Sequence, residues 1–322
     1  MTGHRRGSRG KGAAANGGAA SIADRLTLAG FRTGWALVQR LPERSAYALF
    51  DKIADRLTAR AGKDVQRLRA NYARVRPELD DAALDELVRA GMRSYFRYWC
   101  DAFRLEQIAG GPAIDQMLRL AGNGEEAKAV LDRGEAVILF LGHLGNWDMC
   151  GAWATRNFAP VTTVAERLKP EALFEQFVAY RASLGIRILA LTGAGNPYPE
   201  LVKAVRAGGF VPLLSDRDLT SRGVKVQLCG HPARMAAGPA RLALETGAAL
   251  YPLSVTYERL PGRSMQRVVA DFGPRVMVPE HGSDREKVVA MTQQCADALS
   301  GTIRASTQDW HMMQRVFLDD LR

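Results

Sequence analysis

The 322-residue chain holds only four cysteines, Cys100, Cys150, Cys229 and Cys295, and no CxxC pair. Thiols so far apart, mostly in apolar surroundings, read as free thiols in a reducing compartment. No apolar run approaches the roughly 18 residues needed to span a bilayer, and the first residues lack the hydrophobic region of a secretory signal. There is no dinucleotide fingerprint and no Walker loop. Thr192-Gly-Ala-Gly195 follows an apolar run, but no Lys-Ser/Thr comes after it, which argues against a nucleotide loop. No internal repeat and no flexible interdomain linker is visible. Acidic residues are in deficit, 34 against 44 Lys and Arg, and the net charge is +10. That balance favours an anionic partner such as a membrane surface or a phosphorylated ligand. Nucleic acid is not expected, because no RNA- or DNA-reading motif accompanies the charge. An apolar content of 47% and a charged content of 24% are those of an ordinary globular protein.

Residues 1–20 are Gly/Ala-rich and carry Arg5, Arg6, Arg9 and Lys11, so they read as a disordered basic tail able to approach anionic lipid. Residues 21–322 are expected to form one domain: a helical part over 21–130 and an α/β core over 131–322. In the helical part, Ile22, Leu26, Ala29, Trp35, Val38 and Leu41 recur at three- and four-residue spacing between arginines. Pro42 starts a second helix with an apolar stripe of Tyr47, Leu49, Phe50, Ile53 and Leu57. A third helix is expected over Val65–Val75. A fourth, from about Asp81 to Leu105, is rich in aromatics. Amphipathic, Arg-rich helices with Trp35 and Tyr47 placed to sit at an interface predict a subdomain that faces a membrane surface peripherally.

From Glu135 the pattern changes to short strands alternating with helices. Strands are expected at Ala136–Leu141, Val161–Ala165, Ile186–Leu191, Phe210–Ser215, Val224–Leu228, Leu250–Tyr257 and Gln266–Phe272. Helices fall at Glu171–Leu184, Pro199–Ala207, Ala240–Thr246 and Arg285–Ala305. Such alternation predicts an α/β fold with a mostly parallel central sheet flanked by helices. Val224–Leu228, followed by Gly230, reads as a hairpin or edge element.

The most informative stretch is Ala136-Val-Ile-Leu-Phe-Leu-Gly142-His143-Leu-Gly-Asn-Trp-Asp148. A buried strand ends at Gly142 and delivers a histidine, with an aspartate five residues on. Side chains at a strand's carboxyl end occupy the usual crevice for chemistry in such sheets. A histidine there can take a proton at neutral pH, and a carboxylate can hold its ring. Backbone N–H groups over Gly142–Asn146 are candidate oxyanion donors. A second candidate, Ser215-Asp216-Arg217-Asp218, follows the apolar run Phe210–Leu214 and also lies at a strand end. Arg181, Arg217 and Arg222 offer bidentate donors to phosphates. His143, Asp148, Asp216 and Asp218 could in principle hold a metal, but neither their spacing nor the chemistry requires one, so no metal is expected.

His143-Leu-Gly-Asn-Trp-Asp148 resembles the HxxxxD block of glycerolipid and lipid A acyltransferases. Further stretches resemble one branch, the actinobacterial phosphatidylinositol mannoside acyltransferases. These are Glu166-Arg-Leu-Lys-Pro170, Phe177-Val-Ala-Tyr-Arg181, Ser215-Asp-Arg-Asp-Leu219, Arg234-Met235 with Gly238-Pro-Ala240, and Asp309-Trp-His-Met312. They run from Glu135 to Leu321. The resemblance implies acyl-CoA-dependent transfer of a long fatty acyl chain to a mannose hydroxyl of a phosphatidylinositol mannoside, at the cytoplasmic face of the cell membrane. It implies His143 as the base and Asp216 as its relay acid, with Asp148 fixing the loop or sharing that duty. It places Arg181 and Arg222 along the acyl-CoA site with Glu245 nearby, and Glu166 facing the sugar head. Acyl-CoA enters as a substrate, and no cofactor is implied. A lipid A precursor or a lysophospholipid is the alternative acceptor. A non-catalytic protein that binds anionic lipid is the alternative of another class.

Overall fold

The computed structural model describes residues 30, 33–166, 171–191 and 196–321. The basic tail expected over residues 1–20 and most of the first expected helix lie outside the described residues. A helical stretch over residues 33–40 leads into α1 (Glu43–Ala59), α2 (Lys63–Val75) and α3 (Asp81–Arg104). Each start has a local cause. Pro42 lies just before α1, and the Asp80 side chain accepts the Ala83 amide to cap α3. Short helical turns at Glu106–Ala109 and Ala113–Gln116 follow. The core then runs β1 (Leu118–Gly122), α4 (Gly124–Asp132), β2 (Val137–Leu141), α5 (Trp147–Asn157), β3 (Val161–Ala165), α6 (Glu171–Ser183), β4 (Ile186–Ala190), α7 (Tyr198–Arg206) and β5 (Phe210–Leu214). It ends with β6 (Val224–Leu228), β7 (His231–Met235), α8 (Gly238–Thr246), β8 (Ala249–Glu258), β9 (Arg267–Phe272) and α9 (Asp284–Ala305).

Seven strands form one sheet in the order β1-β9-β8-β2-β5-β3-β4. From β8 to β4 the strands are parallel, and β9 pairs antiparallel with β8 and parallel with β1. β2 lies at the centre, and all five of its residues are buried. A strand covered on both faces needs such an unbroken apolar run. Its alternate side chains feed two cores: Ile138 and Phe140 pack with residues of α8 and α9, while Val137, Leu139 and Leu141 pack with residues of α1 and α5. β6 and β7 form the expected hairpin as a separate two-stranded sheet.

Two expectations are corrected. The helical part is interrupted by β1, a five-residue edge strand that draws its pairing entirely from β9, some 150 residues downstream in sequence. Trp35 and Tyr47 do not sit at an exposed interface. Trp35 is buried with its ring 5.0 Å from Phe103 and 4.9 Å from Tyr180, and the buried Tyr47 hydroxyl donates to Asp101. The exposed apolar side chains here are Leu37, Leu49 and Ile53. No helix among the described residues is long and apolar enough to cross a membrane. All four cysteines are buried and free.

Candidate active site

β2 and β5 are neighbours in register, Leu141 opposite Leu214, and the Ser215 amide donates to the Leu141 carbonyl at 2.8 Å. His143 lies two residues beyond Leu141 and Asp216 two beyond Leu214. Equal overhang from paired strands sets these side chains against each other. His143 Nδ1 meets Asp216 Oδ1 at 2.5 Å, and the His143 amide donates to Asp216 Oδ2 at 2.9 Å. Trp310 Nε1 donates to the same Oδ2 at 3.0 Å. Asp216 is fully buried, whereas the His143 side chain is 22% exposed. Burial alone would raise the Asp216 carboxyl. The facing imidazole, the His143 amide and the Trp310 indole outweigh burial and hold it below the ordinary carboxylate range. A charged Asp216 assigns the proton to Nδ1 and leaves Nε2 as the free acceptor.

The loop is held from its other side. Asp309–His311, beyond α9, meets it as a short antiparallel bridge: Gly145 N–H donates to the Asp309 carbonyl at 2.9 Å, and His311 N–H donates to the His143 carbonyl at 2.8 Å. Gly145 has φ +52°, and a Cβ there would lie 2.6 Å from the Val255 carbonyl oxygen, so this position requires glycine. The amides of His143 and Gly145 are thus committed to Asp216 and Asp309. That removes them from the oxyanion donors expected over Gly142–Asn146.

Asp148 does not touch His143. It lies in the first turn of α5, where its Oδ1 accepts Arg181 Nε at 2.7 Å and its Oδ2 accepts Arg181 Nη2 at 3.1 Å and the Tyr98 hydroxyl at 2.7 Å. Burial opposes the charge on Arg181, but the Asp148 carboxylate wins and holds the guanidinium firmly protonated. Arg181 is therefore spent on Asp148 and does not present a free fork to a phosphate, contrary to expectation. The indole of Trp147 stands beside the histidine, its ring centroid 5.8 Å from that of His143.

Beneath the loop lies a second polar cluster. Asn146 caps α5 by accepting the Met149 amide at 2.9 Å, and its own amide donates to Asp101 at 3.3 Å. The Tyr257 hydroxyl donates to Asp101 at 3.2 Å, and the Tyr257 amide donates to Asp309 at 3.1 Å. Burial lifts the carboxyls of both Asp101 and Asp309 to about 6. The Ser94 hydroxyl donates to Asp309 at 2.8 Å and lies 3.0 Å from His311 Nε2. Buried and close to His143, His311 is depressed to about 3 and stays neutral.

The remaining candidates divide by end of the sheet. Glu166 is exposed one residue past β3, and half-buried Arg217 and exposed Arg222 lie in the segment after β5, all at the carboxyl end with His143. Glu245 lies at the other end. It sits in the last turn of α8, just before β8 begins opposite Val137, with the Tyr198 hydroxyl donating to it at 2.8 Å. It is therefore not brought to the site. Asp218 turns aside to accept the Thr220 amide at 2.7 Å. Among the described residues no group of three or more His, Cys, Asp or Glu side chains is placed to hold a metal ion.

Sequence reasoning named neither Trp310 nor Ser94, Tyr98, Asp101, Asp309 and His311 as site residues. Asp309-Trp-His-Met312 stood out as a stretch, but no spacing rule connects Trp310 to an aspartate 94 positions away. Beside Trp147 a narrow apolar cavity of about 40 Å³ runs between α5 and the sheet. Leu141, Ala154, Pro212, Leu253 and Phe272 are among its walls, and no charged side chain lines it.

Residues 26–319 match the family of bacterial lipid A biosynthesis acyltransferases. The chain is 40% identical over 301 residues to a phosphatidylinositol mannoside acyltransferase of Mycolicibacterium smegmatis, covering 93% of this chain and 94% of that protein. It is 41% identical over 292 residues to a protein of the same description from Mycobacterium tuberculosis, covering 90% and 88%. The match over nearly the whole chain shows that it belongs to the bacterial lipid A biosynthesis acyltransferase family.

Proposed function

We propose that the protein transfers a long-chain fatty acyl group from acyl-CoA to a mannose hydroxyl of a phosphatidylinositol mannoside, with His143 as general base. The observation that carries this reading is the buried Asp216 carboxylate on Nδ1 of the partly exposed His143 ring, which leaves Nε2 as the basic atom at the carboxyl end of the sheet. Nε2 takes the proton of the acceptor hydroxyl as its oxygen attacks the thioester carbonyl carbon. The tetrahedral intermediate collapses with cleavage of the C–S bond. The imidazolium, held by Asp216, returns its proton to the departing CoA thiolate, leaving an ester and a thiol. Positioning of two substrates supplies much of the rate.

The apolar cavity beside Trp147 suits the acyl chain, each buried methylene contributing about 0.8 kcal/mol. At about 40 Å³ the cavity holds a short stretch of such a chain. Arg217 and Arg222 suit the phosphates of the donor or acceptor, and Glu166 suits sugar hydroxyls. Membrane contact follows from α1, where Leu49 and Ile53 are exposed on one face with Lys52, Arg56 and Arg60. The enzyme is then peripheral, at the cytoplasmic face where acyl-CoA is found.

The deciding experiment gives purified protein radiolabelled palmitoyl-CoA with a phosphatidylinositol mannoside, a lipid A precursor and a lysophospholipid as acceptors. Label in the mannoside with wild-type protein, and none with a folded His143→Ala variant, is the expected result. Transfer at the wild-type rate by His143→Ala would sink the mechanism. Preference for another acceptor would reassign the substrate. Retention on anionic vesicles without any transfer would leave only a lipid-binding protein.

A further inference from the structure

We infer that Trp310 is a positioning residue of the reaction, its indole N–H holding the Asp216 carboxylate correctly turned beneath His143. The inference rests on the reading of His143 as the base. Asp216 accepts three hydrogen bonds. Two come from His143 itself, one through Nδ1 at 2.5 Å and one through the backbone amide at 2.9 Å. The third, from Trp310 Nε1 at 3.0 Å, is the one donated by a different element. A carboxylate held only by the residue it serves would move with that residue. The indole anchors Oδ2 independently and so fixes which oxygen faces the imidazole.

The same short segment also grips the histidine. The His311 amide donates to the His143 carbonyl at 2.8 Å, so the relative position of acid and base is set by adjacent residues, Trp310 and His311. Trp310 cannot drift. It is fully buried, its ring lies 6.4 Å from Phe317, and its carbonyl accepts the Tyr72 hydroxyl at 2.9 Å. The choice of side chain follows from its chemistry. An indole N–H donates only, carries no charge and does not titrate, so it supports the carboxylate at every pH without claiming its proton. A lysine or arginine in its place would pair with Asp216 as an ion and compete with the imidazolium.

Removing the N–H raises the proton affinity of Asp216 and tightens its hold on the imidazolium. The base form of the enzyme then requires a higher pH. The ionisable and charged groups around the pair are His311 and Asp309 on the same segment, Arg217 beside Asp216, Asp148 and Arg181 across Trp147, and Tyr72 from α2. Among the described residues none of these hydrogen-bonds Asp216.

The test separates donation from packing. Trp310→Phe removes the donor and some volume. Replacement of Trp310 by 3-benzothienylalanine removes the donor while keeping the bicyclic shape. The benzothienyl protein is expected to melt close to wild type and to lose roughly 10- to 100-fold in kcat, as expected for a hydrogen bond to a charged group. Its KM for palmitoyl-CoA should be unchanged, and the acidic limb of kcat/KM should move up by about half a pH unit or more. Wild-type kcat and an unmoved limb in the benzothienyl protein would overturn the inference, even if Trp310→Phe is inactive, because packing alone would then explain the loss. His143→Ala assayed in parallel tells the two readings apart. If His143→Ala is dead and the benzothienyl protein is normal, only the role of Trp310 falls. If His143→Ala still transfers, the base assignment falls with it.

Discussion

Asp148 gives both carboxylate oxygens to Arg181, at 2.7 and 3.1 Å, and leaves His143 to Asp216. The acid that follows the histidine by five residues is thus a structural joint. It ties the first turn of α5, which leaves the His143 loop, to the last turn of α6, with Tyr98 from α3 as a third party.

Breaking that joint should cost stability before it costs chemistry. Arg181→Ala leaves the Asp148 charge buried without its cation, a loss of about 3–5 kcal/mol for such pairs. Urea unfolding of Arg181→Ala, Asp148→Asn and the double variant Asp148→Asn/Arg181→Met measures it. The double variant should be more stable than the sum of the single losses predicts. A selective rise in KM for acyl-CoA at normal stability would show instead that Arg181 holds a phosphate.

Asp216→Asn should leave the fold in place and lower kcat roughly 10³-fold or more, since the amide no longer enforces a protonated Nδ1. Steady-state transfer by a variant with normal circular dichroism is the check. A loss under tenfold would contradict the pairing as the source of the base.

His311 sets a pH dependence of stability. Its folded form is depressed to about 3 from the usual value of about 6.5, so the native state binds fewer protons than the unfolded chain between these limits. Its stabilising contribution is complete above pH 6.5 and is lost as pH falls toward 3. Asp101 and Asp309, lifted to about 6, act with opposite sign and favour the native state as pH falls from 6 toward 4. Relative to His311→Phe, the wild type should lose about 3 kcal/mol between pH 6.5 and 4. Urea midpoints at half-unit pH steps test this, and parallel curves for the two proteins would refute it.

Ala154 lines the apolar cavity, so Ala154→Phe should shorten the acyl chain accepted. Palmitoyl transfer is expected to drop about tenfold or more while a short-chain donor is used as before, a difference within the range that pocket methylenes control. Equal loss for both donors would place the chain elsewhere.

Leu49→Glu with Ile53→Glu puts carboxylates on the exposed face of α1 and should weaken binding to vesicles containing anionic phospholipid. Co-sedimentation measures it, and transfer to a detergent-dispersed acceptor should persist. Unchanged sedimentation would assign membrane contact to another surface.

Much of this site was legible because two buried strands announced their own ends. The all-apolar run Val137–Leu141 and its counterpart Phe210–Leu214 marked where His143 and Asp216 would emerge. Their adjacency was a condition that topology alone could meet, and β2 does pair with β5. The partner of the histidine was less legible, because HxxxxD spacing puts Asp148 close in sequence while the turn into α5 aims it at Arg181. β1 escaped notice since the alternation of Leu118-Arg-Leu120 is too short to stand out and the segment is a strand only through β9. Trp35 and Tyr47 misled for a related reason. An aromatic on an amphipathic helix suits a membrane interface and a protein core equally, and here the rings of Phe103 and Tyr180 claimed Trp35 while the Asp101 carboxylate claimed Tyr47.

The clamp of residues 309–311 on the loop after β2 also governs the order in which competence returns on refolding. The contacts that join His143 and Trp310 to Asp216 span 73 and 94 positions along the chain, and those that seat the clamp against Ser94 and Tyr72 span 217 and 238. Loops that long close late, after the helices and the α1–α3 packing that need only local encounters. Transfer activity is therefore a readout of the final stage of folding, and it lags behind recovery of helical circular dichroism.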